Sequence, residues 1–235
     1  MKLQRDFYNR PVLTVAQDLI GKTLVHVTPA GILKSIIVET EAYDGTCDKG
    51  CHAYPYKNTP RTSVLFGPAG HAYVYLIYGM YCCFNIVTCP AGYPAAALIR
   101  ALQPIEGTEV MATHRRQSLP LNATTYKKLC SGPGKLCQAM DITRSDNGLD
   151  MCGDTLYIEE TGLEHQQLCF SSILRSKQAA DSINLCCQQL QSLSGLPITA
   201  SPRINIDYAE EAVDFLWRFT LDDSPYLSVL PGKKK

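Results

Sequence analysis

The sequence predicts an α/β fold: a single compact mixed domain over residues 1–235, with a largely antiparallel curved sheet and a protruding β-hairpin. Three observations carry that expectation. Strand-like stretches, either apolar runs or period-two alternation, recur at 23–27, 32–41, 73–87 and 95–102. Segments of helical pattern with start and stop signals lie between and after them. No internal repeat or low-complexity linker divides the chain, and 46% hydrophobic residues in 235 suffice for a real core.

In chain order, Thr14 and Gln17 have capping-box spacing and Gly21 is a stop signal, which predicts a short helix over 15–20. Strands follow at 23–27 and 32–41. Residues 44–68 form a long loop rich in Gly, Pro, Thr and Asn, a length that compact domains often reserve for function. The stretch YVYLIYGMYCCFNIV at 73–87 is a hairpin. Alternation sets Tyr73, Tyr75 and Ile77 on one face and Val74, Leu76 and Tyr78 on the other; Gly79 breaks the strand, which returns through Tyr81, Cys83, Asn85 and Val87. A strand at 95–102 and helices at 106–116 and 123–129 come next. Ser131 caps a further helix that starts near Pro133. Strands at 155–160 and 201–207 and a helix at 207–216 complete the expected set.

Bulk properties narrow the setting. Net charge is zero, yet residues 1–144 carry 15 Lys and Arg against 9 Asp and Glu, a net of +6. Residues 145–232 carry 4 against 13, a net of −9, and Lys233–Lys235 restore neutrality. A face for a polyanion, where the chain has one, is therefore expected from its first two-thirds, although asymmetry along a chain need not become asymmetry in space. The odd count of 11 cysteines, with adjacent pairs Cys82–Cys83 and Cys186–Cys187, reads as reduced thiols. Cys47, Cys51 and His52 lack a second pair at zinc-site spacing, so no metal is expected. No apolar run reaches the length of a membrane span, and the N-terminus lacks a secretory signal pattern. Those features predict a cytoplasmic, nucleoid-associated protein if bacterial, or a nuclear one if eukaryotic.

Two stretches carry chemistry. SIIVETEAYDG at 35–45 places Glu39, Glu41 and Tyr43 on the continuation of a buried strand. One carboxylate at such a wall can activate a water for hydrolysis. Alternation points both glutamates the same way, and the residues alone do not choose between them or exclude a salt-bridged strand role. At the hairpin tip, Tyr78 beside Gly79 and Met80 has little core to enter. An exposed apolar wedge is one way to open a base step in DNA.

The chain resembles the 3-methyladenine, or alkyladenine, DNA glycosylase family. The matching segments are LIGKTLV at 19–25, IVETEAYDG at 37–45, TPRT at 59–62, FGPAGHAYVYLIYGMY at 66–81, FNIV at 84–87, LIRALQPIEG at 98–107 and LCSGPGKLCQAMDI at 129–142. They keep family order over the first two-thirds of the chain. The resemblance implies a monofunctional glycosylase that flips alkylated purines out of double-stranded DNA and excises them, working as a monomer without cofactor or metal. It selects Glu41 as general base, with Arg100 helping to hold the water. It makes Tyr43, His52 and Tyr75 the residues that sandwich the flipped base and Asn85 the one that discourages guanine. Tyr78 then fills the gap left in the duplex, and Met80 and Tyr81 flank it against the backbone. Lys135, in SGPGK, is either a phosphate contact or part of a plain capped helix. Arg115 and Arg116 are further candidates for phosphate.

The sequence departs from the family pattern at Tyr54, Pro55 and Tyr56, where glycine and arginine are common, and at Thr62, where asparagine is common. The resemblance is weakest over 145–200, whose acidity suggests a face turned away from DNA. Two other readings use the same residues: a catalytically inactive lesion-binding DNA protein, or a glycoside hydrolase using Glu39 and Glu41. Two carboxylates on one strand face do not readily flank a glycosidic bond between sugars.

Overall fold

The computed structural model describes residues 1–162 and 197–230. Cys186, Cys187 and Lys233–Lys235, and most of the acidic segment 145–200, lie outside the described residues. Two short helices, α1 (Arg5–Tyr8) and α2 (Val12–Asp18), precede strands β1 (Thr23–Thr28) and β2 (Gly31–Asp44). The hairpin is β3 (Ala72–Ile77) and β4 (Tyr81–Val87), followed by β5 (Ala95–Glu106). Helices α3 (Thr108–His114), α4 (Ala123–Lys128) and α5 (Pro133–Ala139) come next, then β6 (Leu156–Glu159), β7 (Ile198–Ser201) and β8 (Arg218–Leu221). The sheet runs β3-β4-β5-β2-β1-β6, every pairing is antiparallel, and β8 joins β2 to β7. This is the expected mixed α/β architecture with a hairpin at one edge. Strand β6 lies at the opposite edge from β3.

Strand β2 positions the site. One side of it pairs with β5; the other is shared between β1 and, at residues 39–41, β8. Its register with β5 slips three times, once between Lys34 and Ser35 and twice at the site, where Ile37 faces Leu102, Glu39 faces Ala101 and Thr40 faces Ile99. Val38 and Arg100 are thus left without an opposite residue, and such irregularities re-aim side chains. Thr40 turns to the helical layer and donates to the Ala16 carbonyl of α2 at 2.7 Å. Glu39 and Glu41 turn to the other face. Beneath the helices, Val15, Ala16, Leu19, Ile37, Ile99, Met111 and Leu136 are fully buried in one apolar core.

Several expected elements shift. Helix α2 starts at Val12 behind Pro11 without a side-chain cap, so Thr14 and Gln17 form no capping box. Proline already supplies a helix-compatible start. Strand β5 runs on to Glu106, and the helix expected from 106 begins only at Thr108. The break is Gly107 at φ +75°, where a Cβ would meet the Ile32 carbonyl at 2.7 Å and Leu33 Cδ2 at 2.6 Å. Ser131 does not cap α5: its backbone bridges to Ala101 of β5, and Gly132 takes the cap position. The strand expected at 201–207 lies earlier, in β7, and the helix at 207–216 shrinks to a 3₁₀ turn at Glu210–Asp214. Strand β8 was not anticipated; it adds to β2 at the site. Among the described residues, no helix is long and apolar enough to cross a membrane, and no group of three His, Cys, Asp or Glu could hold a metal ion.

Candidate active site

A cavity of about 830 Å³ opens on the face of the sheet that carries the hairpin tyrosines. Cross-strand pairing sets Tyr73 against Asn85, Tyr75 against Cys83 and Ile77 against Tyr81, and all six line it. Tyr43, His52 and Arg61 form another wall, Arg100 part of the floor, and Lys135 with Arg115 the side nearest α5. At the tip, Tyr78 and Gly79 both have positive φ, +52° and +71°, the primed turn that fits a hairpin twist. Tyr78 is 78% exposed, with Met80 and Tyr81 exposed beside it. A bulky residue at positive φ is strained, and such strain points to a use for the side chain. The hairpin rests on α5: a Cβ on Gly134 would meet Tyr81 Cβ at 3.1 Å, so glycine there lets strand and helix approach.

Glu39 and Glu41 share one arginine. Arg100 donates through Nε to Glu39 Oε1 at 3.2 Å and through Nη1 to Glu41 Oε2 at 3.1 Å. Burial works against the Arg100 charge, but the Glu41 and Glu39 carboxylates outweigh it and hold the guanidinium above its ordinary pKa. Beyond that the two glutamates differ. Glu39 Oε1 also accepts from Arg218 Nε at 2.8 Å and Ser228 Oγ at 2.8 Å, and Oε2 accepts from Ser228 N–H at 2.7 Å. Three of its four hydrogen bonds thus come from the C-terminal segment. Glu41 Oε2 accepts from the Tyr43 hydroxyl at 2.7 Å, while Oε1 accepts from Ile204 N–H at 2.8 Å. Glu41 therefore accepts three hydrogen bonds where Glu39 accepts four. Glu41 is 0% exposed, but its partners Tyr43, Arg100 and Ile204 all line the cavity.

The aromatic wall is interlocked. His52 stands edge-on to Tyr75 with centroids 4.6 Å apart, and Arg61 lies over the Tyr75 ring at 5.2 Å. Arg61 Nη2 approaches His52 Nε2 at 3.3 Å. A guanidinium has only donors, so Nε2 accepts and Nδ1–H points to the Tyr73 hydroxyl at 3.0 Å. Burial, then the Arg61 charge, lowers the His52 pKa to about 4, which keeps the ring neutral near pH 7. Burial, then the Glu41 charge, raises the Tyr43 hydroxyl well above its usual range, so it stays a donor. Asn85 is buried and donates through Nδ2 to the Tyr73 carbonyl at 3.1 Å, so part of its amide is already spent across the hairpin. Thr62 ties the loop to itself, accepting from Thr59 N–H at 2.9 Å and donating to the Lys57 carbonyl at 2.7 Å. The described cysteines are all free.

Residues 6–175 match the family described as Methylpurine-DNA glycosylase (MPG). The chain belongs to that family. Three bacterial relatives are similar over nearly their whole length. One from Alkaliphilus oremlandii is 46% identical over 231 residues, 97% of this chain and 99% of that protein. One from Clostridium acetobutylicum is 45% identical over 232 residues, 98% of each chain. One from Bacillus cytotoxicus is 44% identical over 228 residues, 97% of this chain and 100% of that protein. All three are provisionally named 3-methyladenine DNA glycosylases.

In this methylpurine-DNA glycosylase family member, the site residues singled out from the sequence fall in or beside one cavity, except Arg116, which does not line it although Arg115 does. Glu41 lies just behind its floor, and Met80 lies on the exposed tip between Gly79 and Tyr81. Other contributors went unnoticed in the sequence: Arg61, Ile204, Asn205, Ile206, Tyr208 and Ser228 also line it. The segment PRINID at 202–207 held the available signal, with Arg203, Asn205 and Asp207 alternating with Ile204 and Ile206 in a pattern that reads as a strand. Strand β7 has already ended at Ser201, and Asn205 at φ +59° is incompatible with an extended strand there.

Proposed function

We propose that this chain is a monofunctional, monomeric glycosylase that flips alkylated purines, 3-methyladenine among them, from duplex DNA. A water activated by Glu41 then attacks the anomeric carbon. The observation that carries this reading is the asymmetry of the two glutamates. Glu39 accepts four hydrogen bonds, three of them from Arg218 and Ser228 near the end of the chain, whereas Glu41 accepts three and is held by Tyr43, Arg100 and Ile204, all of which line a cavity walled by tyrosines. Arg100 stabilises the Glu41 charge and helps hold the water. The π faces of Tyr43 and Tyr75, with the edge of neutral His52, favour a purine made electron-poor or cationic by alkylation. No lysine is assigned an attack on the sugar, so the products are free base and an abasic site. The chemistry assigned to these side chains calls on no metal or cofactor.

The test is base release. Purified protein should liberate 3-methyladenine from methylated duplex DNA and leave polysaccharide substrates intact. Binding to lesion DNA with no release would instead mean an inactive lesion-binding protein.

Two residues refine the assignment. Tyr78→Ser should weaken capture of the flipped state, because filling the gap opposes re-stacking worth roughly a few kcal/mol. The loss should be larger in duplex than in single strands; equal losses would remove the wedge. Met80, Tyr81 and Lys135 flank it as backbone contacts, and their share reads out in the salt dependence of binding. If the Asn85 amide opposes the guanine amino group, Asn85→Ser should release guanine from undamaged duplex. A donor mismatch of that kind is worth roughly 1–3 kcal/mol. A lower Tm with no guanine release would leave Asn85 as the Tyr73 partner and nothing more.

A further inference from the structure

Arg203 stands behind the cavity wall rather than on it. Its side chain and that of Asp48 are both fully buried and form a two-pronged pair, with Nη2 to Oδ1 at 2.6 Å and Nη1 to Oδ2. Asp48 is further held by the Gly50 N–H at 2.8 Å. The same guanidinium donates to the Ala42 carbonyl at 2.9 Å and the Ala212 carbonyl at 3.2 Å. It lies over Tyr43 at 4.6 Å and over Trp217 at 5.3 Å. These contacts converge on one neighbour. Ala42 separates Glu41 from Tyr43 on β2, and the residue after Arg203 is Ile204, whose N–H holds Glu41 Oε1 at 2.8 Å. Both the strand that carries Glu41 and the backbone donor that orients it are thus fastened to one guanidinium.

We propose that Arg203, locked by Asp48, is a positioning residue: it presents the Ile204 N–H to Glu41 and so fixes the carboxylate rotamer and the oxygen offered to water. This rests on the reading of Glu41 as general base. A buried ion pair stabilises little against apolar packing, so its retention calls for a specific use of its geometry. That use is a second anchor, independent of Arg100, on a carboxylate whose angle toward the sugar matters. A displacement of about 1 Å at such a group can cost about 10²-fold in rate.

The variant is Arg203→Lys, which keeps the charge and loses the fork. The expected result is a folded protein that binds lesion duplex nearly as well as wild type but excises about 10²-fold more slowly in single turnover at neutral pH. Its acid limb in the pH–rate profile should move upward, because a carboxylate that loses an N–H donor is protonated more easily. The groups that face Glu41 and keep their places are Arg100 of β5, Tyr43 of β2, Tyr75 of β3, Cys83 of β4 and Tyr208. A rate loss matched by lost binding or lost folded protein, with the limb unmoved, makes Arg203 a structural residue only and overturns the proposal. If Arg203→Lys does not fold, Asp48→Asn carries the same expectation and the same refutation, since it leaves Arg203 its two backbone carbonyls. Glu41→Gln is measured beside them. If Glu41→Gln excises normally, the reading of Glu41 fails; if it is inactive while the Arg203 and Asp48 variants keep rate and limb, only the positioning proposal fails.

Discussion

Glu41→Gln should still bind lesion duplex and should excise alkylated purine about 10²–10⁴-fold more slowly, the usual contribution of a general base. The substitution is nearly isosteric, but the surroundings do not accept it neutrally. Glu41 Oε1 receives the Ile204 N–H and Oε2 receives Arg100 and Tyr43. A glutamine must turn its amino group toward either Ile204 N–H or Arg100, and both are donors. One donor–donor contact therefore remains in either orientation, at a cost of about 1–3 kcal/mol. Thermal melting alongside single-turnover excision separates the two effects. The rate should fall far more than the fraction folded does. Near-normal excision by a folded Glu41→Gln protein would remove Glu41 from the mechanism. Glu39→Gln should behave in the opposite sense, mainly losing stability, because four hydrogen bonds to Glu39 fasten Arg100, Arg218 and Ser228 around it.

Arg100→Met should lower stability by about 3–5 kcal/mol, the scale on which breaking a buried charge pair leaves its partner uncompensated. Arg100 is almost wholly buried and is the one cation in direct contact with Glu41 among the described residues. Glu39 would keep Arg218 at 2.8 Å, so the stranded charge is that of Glu41. For a chain of this length the loss corresponds to a Tm lower by about 10 °C. Excision should fall as well, since Arg100 no longer holds the Glu41 carboxylate in place. Unchanged urea unfolding for Arg100→Met would contradict a charged Glu41–Arg100 pair.

The hairpin was legible in the sequence because strand alternation is a local rule. Once Gly79 marks the turn, Tyr73, Tyr75 and Ile77 must share a face, and pairing brings Tyr81, Cys83 and Asn85 onto it. The core face of β2 and β5 followed from their apolar runs for the same reason. Element ends were less legible. Strand β5 outlasts its expected length because Gly107 packs against Ile32 and Leu33 of β2, and Ser131 is diverted from capping α5 by a bridge to β5. Each of those outcomes depends on a neighbour remote in sequence.

By itself the sequence determined which side chains stand on the hairpin face, that a pair of glutamates ends a buried strand, and, through its ordered motifs, the family. It left Glu39 and Glu41 equivalent, since alternation treats residues two apart alike. Only the tertiary structure parted them. The donors that fill Glu39 come from Arg218 and Ser228, 179 and 189 residues away, and the N–H that orients Glu41 comes from Ile204, 163 residues away. Arg203 and Asp48 meet across 155 residues. A carboxylate's role depends on which donors fill its lone pairs, and here the chain supplies most of them from its far end, where no local pattern announces them.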